Sequence, residues 1–225
     1  MYCPFCSEKH LKNYQNNFPV SDFYCHLCGE KFQLKSKKKS LGKLIVDGEY
    51  NKMIEAVLTR NVPNFFFLNY SANIENIINL ILVPKEFILP NTIQKRKPLS
   101  ITAKRAGWVG CNISLDTIPE QGKIYAIRDK MPIEKCEVRN NVIKVSFIRK
   151  EKDLNSRGWL NDILCVISKI KTDVFNLTDI YKYTDTLQKL HPQNNNIQAK
   201  IRQQLQILRD HKIIEFIDRG VYKKL

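Results

Sequence analysis

The first two thirds of the chain alternate between short apolar runs and polar connections. Four runs predict strands, two continuously apolar and two β-branched, at 64–70, 78–83, 123–127 and 142–148. Apolar residues at helical spacing predict one helix over 51–59. This mixture predicts an α/β or α+β domain that occupies residues 1–150.

From residue 151 onward, three helical patterns are followed by two short strands. The helices are predicted over 158–170, over a segment that begins at a cap in 176–178 and reaches Leu190, and over 194–210. The strands, 213–217 and 221–224, flank the turn Asp218-Arg219-Gly220. Three helices followed by a two-stranded wing predict a winged helix-turn-helix domain over residues 151–225.

The charge balance favours a polyanionic partner. Lys and Arg number 37 against 22 Asp and Glu, which gives a net charge of +15 spread over both predicted domains. Nucleic acid is the usual partner of such a field, although a basic surface that only maintains solubility is the alternative. The chain has no apolar run of transmembrane length and no signal-peptide pattern, so we expect neither membrane insertion nor secretion.

Four of the seven cysteines form two C-x-x-C pairs near the N-terminus. Cys3 and Cys6 are followed, after 18 residues, by Cys25 and Cys28. This spacing predicts a structural zinc site, because two such turns direct four sulfurs at one centre. Two disulfides or unreactive thiols are the alternative. The second pair lies at the turn of a hairpin that we predict over 17–35.

The arms of this hairpin carry a candidate catalytic group. Asp22 lies on the first arm, while Gln33 and Lys35 project from one face of the second. A carboxylate, a second oxygen ligand and a lysine resemble the D…(E/Q)-x-K centre of metal-dependent nucleases. There the carboxylate binds Mg²⁺ and the lysine orients or deprotonates a water. Three exposed strand residues with no common role are the alternative.

The outward face of the last predicted helix is long, polar and partly cationic. Such side chains reach base edges in a major groove, although a solvated helix has the same pattern. We therefore expect DNA contacts from Gln198, Arg202, Gln203, Gln206 and Arg209, together with Arg219 and Lys223 of the wing.

Matches to a known family extend over nearly the whole chain. They are the stretches 2–6, 19–25, 32–37, 47–48, 63–68, 96–99, 105–112, 156–159 and 200–210, the last reading Lys200-Ile-Arg-Gln-Gln-Leu-Gln-Ile-Leu-Arg-Asp210. On these residues the sequence resembles the DpnI-like methyl-directed type II restriction endonucleases. The resemblance implies a PD-(D/E)xK nuclease domain with an embedded four-cysteine zinc site, followed by a winged helix.

The resemblance also implies an activity and its partners. It implies Mg²⁺-dependent hydrolysis of both strands of GATC that carries N6-methyladenine, by a monomer in a prokaryotic cytoplasm. It assigns Trp108 to methyladenine sensing, with Lys104 and Arg105 beside it, although a core tryptophan is the alternative. Gln33 departs from the family, which has Glu at this position of the motif.

Two other functions fit parts of the pattern. A non-enzymatic zinc and winged-helix regulator explains the charge and the zinc site, but it leaves Asp22, Gln33 and Lys35 without a role. An inactive relative that binds methylated GATC without cutting it is suggested by the neutral Gln33. Metal-dependent cleavage distinguishes the nuclease from both, and methyl-dependent binding distinguishes the inactive relative from the regulator.

Overall fold

The computed structural model describes residues 1–15, 21–38, 40–71, 76–151 and 153–225. They fall into two units, 1–145 and 146–225. The first unit is mixed α/β and holds the cysteine pairs, and the second is helical with a small sheet, which confirms the predicted fold class. None of the helices within the described ranges combines the length and apolar character needed to cross a bilayer.

The first unit contains ten strands and two α-helices among its described residues. In chain order they are β1 (Lys12–Asn13), β2 (Phe23–Tyr24), β3 (Lys31–Lys38), β4 (Leu44–Glu49), α1 (Tyr50–Leu58), β5 (Asn64–Ser71), β6 (Asn76–Val83), β7 (Ile93–Lys95), β8 (Gly110–Ser114), β9 (Ile124–Arg128), β10 (Met131–Pro132) and α2 (Lys135–Val145). The strands predicted near 64–70, 78–83 and 123–127 and the helix near 51–59 are confirmed as β5, β6, β9 and α1.

A seven-stranded sheet forms the centre of this unit, in the order β1-β2-β3-β5-β6-β9-β10. β2 and β3 are antiparallel and enclose the second cysteine pair, as predicted for the hairpin, whose residues 17–20 lie outside the described residues. β3 then runs parallel to β5, whose Phe65, Phe66 and Phe67 are buried. The central position of β5 accounts for its continuous apolar run.

A second sheet, in the order β4-β8-β7, brings another part of the chain to β3. In the antiparallel pairing of β4 with β8, Asp47 lies opposite Cys111, and a register shift follows between Asp47 and Glu49. Glu49 caps α1 by accepting hydrogen bonds from the backbone N–H groups of Asn51 and Lys52. The start of α1 therefore fixes the end of β4.

The strand predicted over 142–148 is wrong. The segment forms the end of α2 followed by a 3₁₀ helix, Ser146–Lys150. Val138, Val142 and Val145 recur at helical spacing, and all three are buried, with α2 packed against β9. Burial of this helical face outweighs the β propensity of the branched residues.

The helices and strands of the second unit follow one another in the order predicted for a winged helix-turn-helix domain. After the 3₁₀ helix come α3 (Leu154–Lys169), β11 (Val174–Asn176), α4 (Leu177–Tyr181), α5 (Thr184–Leu190), α6 (Ile197–Asp210), β12 (Ile214–Asp218) and β13 (Val221–Lys224). α3 begins earlier than predicted because Asp153 accepts a hydrogen bond from the Ser156 backbone N–H, at 2.7 Å. The predicted second helix is divided into α4 and α5, and the wing gains a third strand, β11.

Candidate metal centres and nucleic-acid interfaces

The four N-terminal cysteines meet at one point. Their sulfur atoms all lie within 4.8 Å of one another. The Sγ atoms of Cys3 and Cys28 are 3.6 Å apart, and those of Cys6 and Cys25 are 3.5 Å apart. A tetrahedral zinc with bonds of about 2.3 Å requires sulfurs about 3.8 Å apart, so the cluster is consistent with structural zinc. All seven cysteines are in described segments, and none forms a disulfide.

Two tight turns build this cluster. The Ser7 backbone N–H donates to the Cys3 carbonyl, and the Gly29 N–H donates to the Cys25 carbonyl, both at 2.9 Å. Gly29 has a φ of +72°, which a residue without Cβ adopts at little cost. Four thiolates leave no open coordination position, so the site is structural in character.

Burial raises the pKa of two of these thiols. It raises the pKa of Cys3 well above that of an ordinary thiol and raises the pKa of Cys28 to about 11. At Cys25 desolvation acts in the same direction, but backbone hydrogen bonds from Cys28 and Leu27 help to bring the pKa below its usual value. A metal ion that binds here therefore displaces protons, so metal affinity falls as the pH falls.

The structure places Asp22 directly against β3. The backbone N–H of Asp22 donates to the Phe32 carbonyl, and its Oδ2 accepts from the Leu34 N–H at 2.7 Å. Gln33 and Lys35 flank Leu34 and alternate with it along the strand. Asp22, Gln33 and Lys35 are thus neighbours through the hairpin register.

Gln33 has an unusual environment for an amide. Its Oε1 atom is buried and has no hydrogen-bond partner among the described residues. Buried polar atoms are nearly always paired, with protein, water or an ion.

Lys35 forms an ion pair with Asp47 of β4. The Asp47 side chain is only 3% exposed and that of Lys35 is 23% exposed. The role of Asp47 is not predictable from the sequence, because its proximity to Lys35 depends on how two separate sheets meet. Its only sequence signal was its place in a stretch shared with the family.

The strand beside Asp47 contributes a neutral thiol. Burial, reinforced by the negative charge of Asp47, raises the pKa of Cys111 to about 12. Cys111 lies opposite Asp47 in the β4–β8 pairing and is fully buried. The thiol therefore stays protonated at neutral pH, and it adds no second negative charge beside Lys35.

Trp108 is half-buried rather than a core residue. The Arg105 guanidinium lies over its ring, 4.5 Å from the centroid. A Cβ added to Gly110 would be 2.8 Å from two ring carbons. The indole is thus close to both Arg105 and the Gly110 backbone, and Lys104 and Arg105 are exposed.

The recognition surface predicted on α6 is exposed. Ile201, Leu205 and Leu208 are buried on the inner face, and the outer side chains project to solvent. Two of them have local partners, since Arg202 donates to the Tyr181 hydroxyl at 2.7 Å and Arg209 pairs with Asp210 at 2.8 Å. All the predicted DNA-contacting residues of this unit are exposed, namely Gln198, Arg202, Gln203, Gln206, Arg209, Arg219 and Lys223.

Two family models match the chain. One, described as DpnI, Dam-replacing family, matches residues 1–151. The other, described as DpnI_C, Dam-replacing HTH domain, matches residues 155–224. The second match is consistent with the helical unit and its small sheet.

Proposed function

Since the chain belongs to the DpnI Dam-replacing family, we propose that it is a methyl-directed type II restriction endonuclease that hydrolyses both strands of GATC carrying N6-methyladenine. The observation that supports this proposal is the hydrogen bond from the Leu34 N–H to the Asp22 carboxylate, which places Asp22 beside the segment of β3 that carries Gln33 and Lys35. A DNA-binding regulator has no use for a carboxylate, an unpaired amide oxygen and a lysine gathered beside one strand.

The residues present fit a magnesium ion. Asp22 offers a carboxylate and Gln33 a buried oxygen without a partner among the described residues, and hard cations prefer oxygen ligands. When bound, Mg²⁺ polarises a phosphate and lowers the pKa of a water. The amide of Gln33 is neutral, whereas the carboxylate of a glutamate is charged. We therefore expect half-maximal cleavage to need a higher Mg²⁺ concentration than in an enzyme with Glu at this position.

Lys35 acts on the phosphate and the attacking water. Its ammonium group stabilises the negative charge that develops on the phosphoryl oxygens, and its position orients the water. The Leu34 N–H holds the Asp22 carboxylate at 2.7 Å, which fixes the geometry of the ligand before substrate binds.

DNA recognition is assigned to both units. The α6 surface and the wing supply long polar and cationic side chains for the major groove. In the first unit, Trp108 offers an aromatic face that accepts the added methyl group of adenine, and the basic residues Lys104 and Arg105 attract the phosphates. We place the protein in a prokaryotic cytoplasm, acting as a monomer.

A paired digest tests this function. Plasmid DNA with and without adenine methylation at GATC is incubated with the zinc-loaded protein in Mg²⁺. The proposal predicts fragments from the methylated plasmid alone. Cutting of neither plasmid across metal and protein concentrations contradicts it. A binding assay on the same two DNAs then distinguishes an inactive methyl-GATC binder, which Gln33 would explain, from a regulator.

A further inference from the structure

The ion pair between Lys35 and Asp47 joins the two sheets of the first unit. Lys35 lies on β3 of the large sheet and Asp47 on β4 of the small one. Asp47 is almost completely inaccessible, so the pair is largely shielded from water on the carboxylate side. Removing one partner of such a pair leaves a buried charge without compensation, and the two groups therefore stay together.

The backbone around Asp47 is fixed on both sides. β4 pairs with β8 up to the register shift that follows Asp47, and the Glu49 side chain then caps α1. The Asp47 carboxylate consequently has little freedom to follow a moving partner. It determines where the ammonium group of the long and flexible Lys35 side chain lies.

The charges of the candidate centre also depend on Asp47. Asp22 is an acid, Gln33 is neutral and Lys35 is a cation, so these three side chains have no net charge. A divalent cation gains little from such a set. With Asp47 included, the four side chains have a net negative charge, so a divalent cation is attracted although Lys35 keeps its positive charge.

We propose that Asp47 is the positioning residue of the candidate centre: it holds the Lys35 ammonium group and offsets its repulsion of a divalent cation, so that Asp22 and Gln33 bind the cation while the charged Lys35 remains available to the phosphate. This inference rests on the proposed function, and it assigns Asp47 no direct contact with the metal. Partners in the outer shell of metal sites typically contribute about 10–100-fold in metal affinity or activity.

The first test measures metal affinity and needs no cleavage. Mn²⁺ binding to the zinc-loaded full chain is followed through the electron paramagnetic resonance signal of the free ion. D47N leaves Lys35 charged and should weaken binding about tenfold. K35M/D47N restores a neutral pair and should bind Mn²⁺ within about threefold of the wild type, although it cannot cleave.

D116N is the matched control. Asp116 pairs with Lys43 at 3.2 Å in the same unit, but both side chains are largely exposed. This variant should bind Mn²⁺ like the wild type. Unchanged Mn²⁺ affinity in D47N overturns the proposal, and so does a K35M/D47N variant as weak as D47N, which would make Asp47 a direct ligand.

The second test examines position rather than charge, and it applies even where D47N fails to fold. D47E keeps the charge but displaces the ammonium group by about one carbon–carbon bond. It should retain Mn²⁺ affinity and lose about tenfold in kcat on methylated GATC, with KM unchanged. Wild-type kcat in D47E contradicts the positioning role. If the wild type cuts no DNA, the proposed function fails, and the Mn²⁺ measurements still decide the role of Asp47.

Discussion

Gln33 is the residue at which this chain departs most clearly from the D…E-x-K pattern. Its Oε1 atom is buried without a partner among the described residues, whereas an amide in solution would be hydrated. Under the proposed function, this oxygen is the second ligand of the divalent cation. An oxygen with a full negative charge would bind a hard cation more strongly at the same place.

Gln33→Glu should consequently retain or raise nuclease activity. The Mg²⁺ concentration for half-maximal cleavage of methylated plasmid should fall about tenfold, because the added carboxylate lies beside the metal. Gln33→Ala is the matched control and should raise that concentration. A glutamate variant without activity would mean that the ligand geometry of the family does not apply here.

Trp108 depends on a glycine for its place. A methyl group at Gly110 would come within 2.8 Å of the indole ring, and a fused ring cannot move as easily as the end of a flexible chain. Gly110→Ala should therefore displace Trp108 and reduce the preference for methylated over unmethylated GATC about tenfold, the range of one aromatic contact.

Gly48→Ala provides the comparison for this substitution. Gly48 lies in the same unit, and an added Cβ there meets no atom of the described residues within 4 Å. The preference of the Gly48→Ala variant for methylated DNA, measured as the ratio of kcat/KM on methylated and unmethylated GATC, should equal that of the wild type. If both alanine variants have the wild-type ratio, the assignment of Trp108 to methyl sensing is contradicted.

At the scale of elements, the hairpin between β2 and β3 combines two roles. Its turn carries Cys25 and Cys28, and its arms carry the candidate catalytic residues. Zinc bound at the turn would fix the register that places Asp22 beside Leu34. Loss of the metal is expected to disturb the catalytic group as well as the fold.

Cys28→Ser should reduce bound zinc well below one ion per chain and lower Tm by about 10 °C or more, since structural zinc contributes folding free energy directly. Cys136→Ser is the control, because Cys136 is exposed on α2 and lies outside the cluster. Metal analysis and thermal unfolding measure both effects. A Cys28 variant with full zinc content and wild-type Tm would contradict the structural role.

The α6 surface makes a separate prediction about DNA affinity. Arg202 is exposed, and its guanidinium is positioned by the Tyr181 hydroxyl at 2.7 Å. Arg202→Ala should weaken DNA binding and, if the contact is to a phosphate, reduce the slope of log K against log salt by about 1. Lys189→Ala, an exposed substitution on α5, should change neither quantity. Fluorescence anisotropy over a salt series measures both.

Much of this architecture follows from local sequence patterns. The apolar runs of β5 and β6, the amphipathic α6 and the paired C-x-x-C turns are each determined within a short segment. The strand predicted over 142–148 is wrong because its branched residues suit a strand, whereas burial against β9 selects a helix. Asp47 could not be assigned, because its contact with Lys35 depends on two strands from different sheets.

At the scale of the molecule, a net charge of +15 and two units with basic surfaces describe a chain suited to bind nucleic acid in both parts. The charge supplies affinity that depends on salt but not on sequence. Selection of methylated sites and hydrolysis must come from particular residues. We therefore propose that this chain recognises methylated adenine in GATC and that Lys35 is required for the hydrolysis that follows, but not for binding.

Cleavage of a short duplex with a single GATC tests this claim most directly. Duplexes with and without N6-methyladenine are incubated in Mg²⁺ with the wild type and with Lys35→Ala, and both products and bound DNA are quantified. The wild type should cut both strands of the methylated duplex only, while Lys35→Ala should bind that duplex and leave it intact. Equal cutting of the two duplexes, or cleavage retained by Lys35→Ala, would contradict the claim.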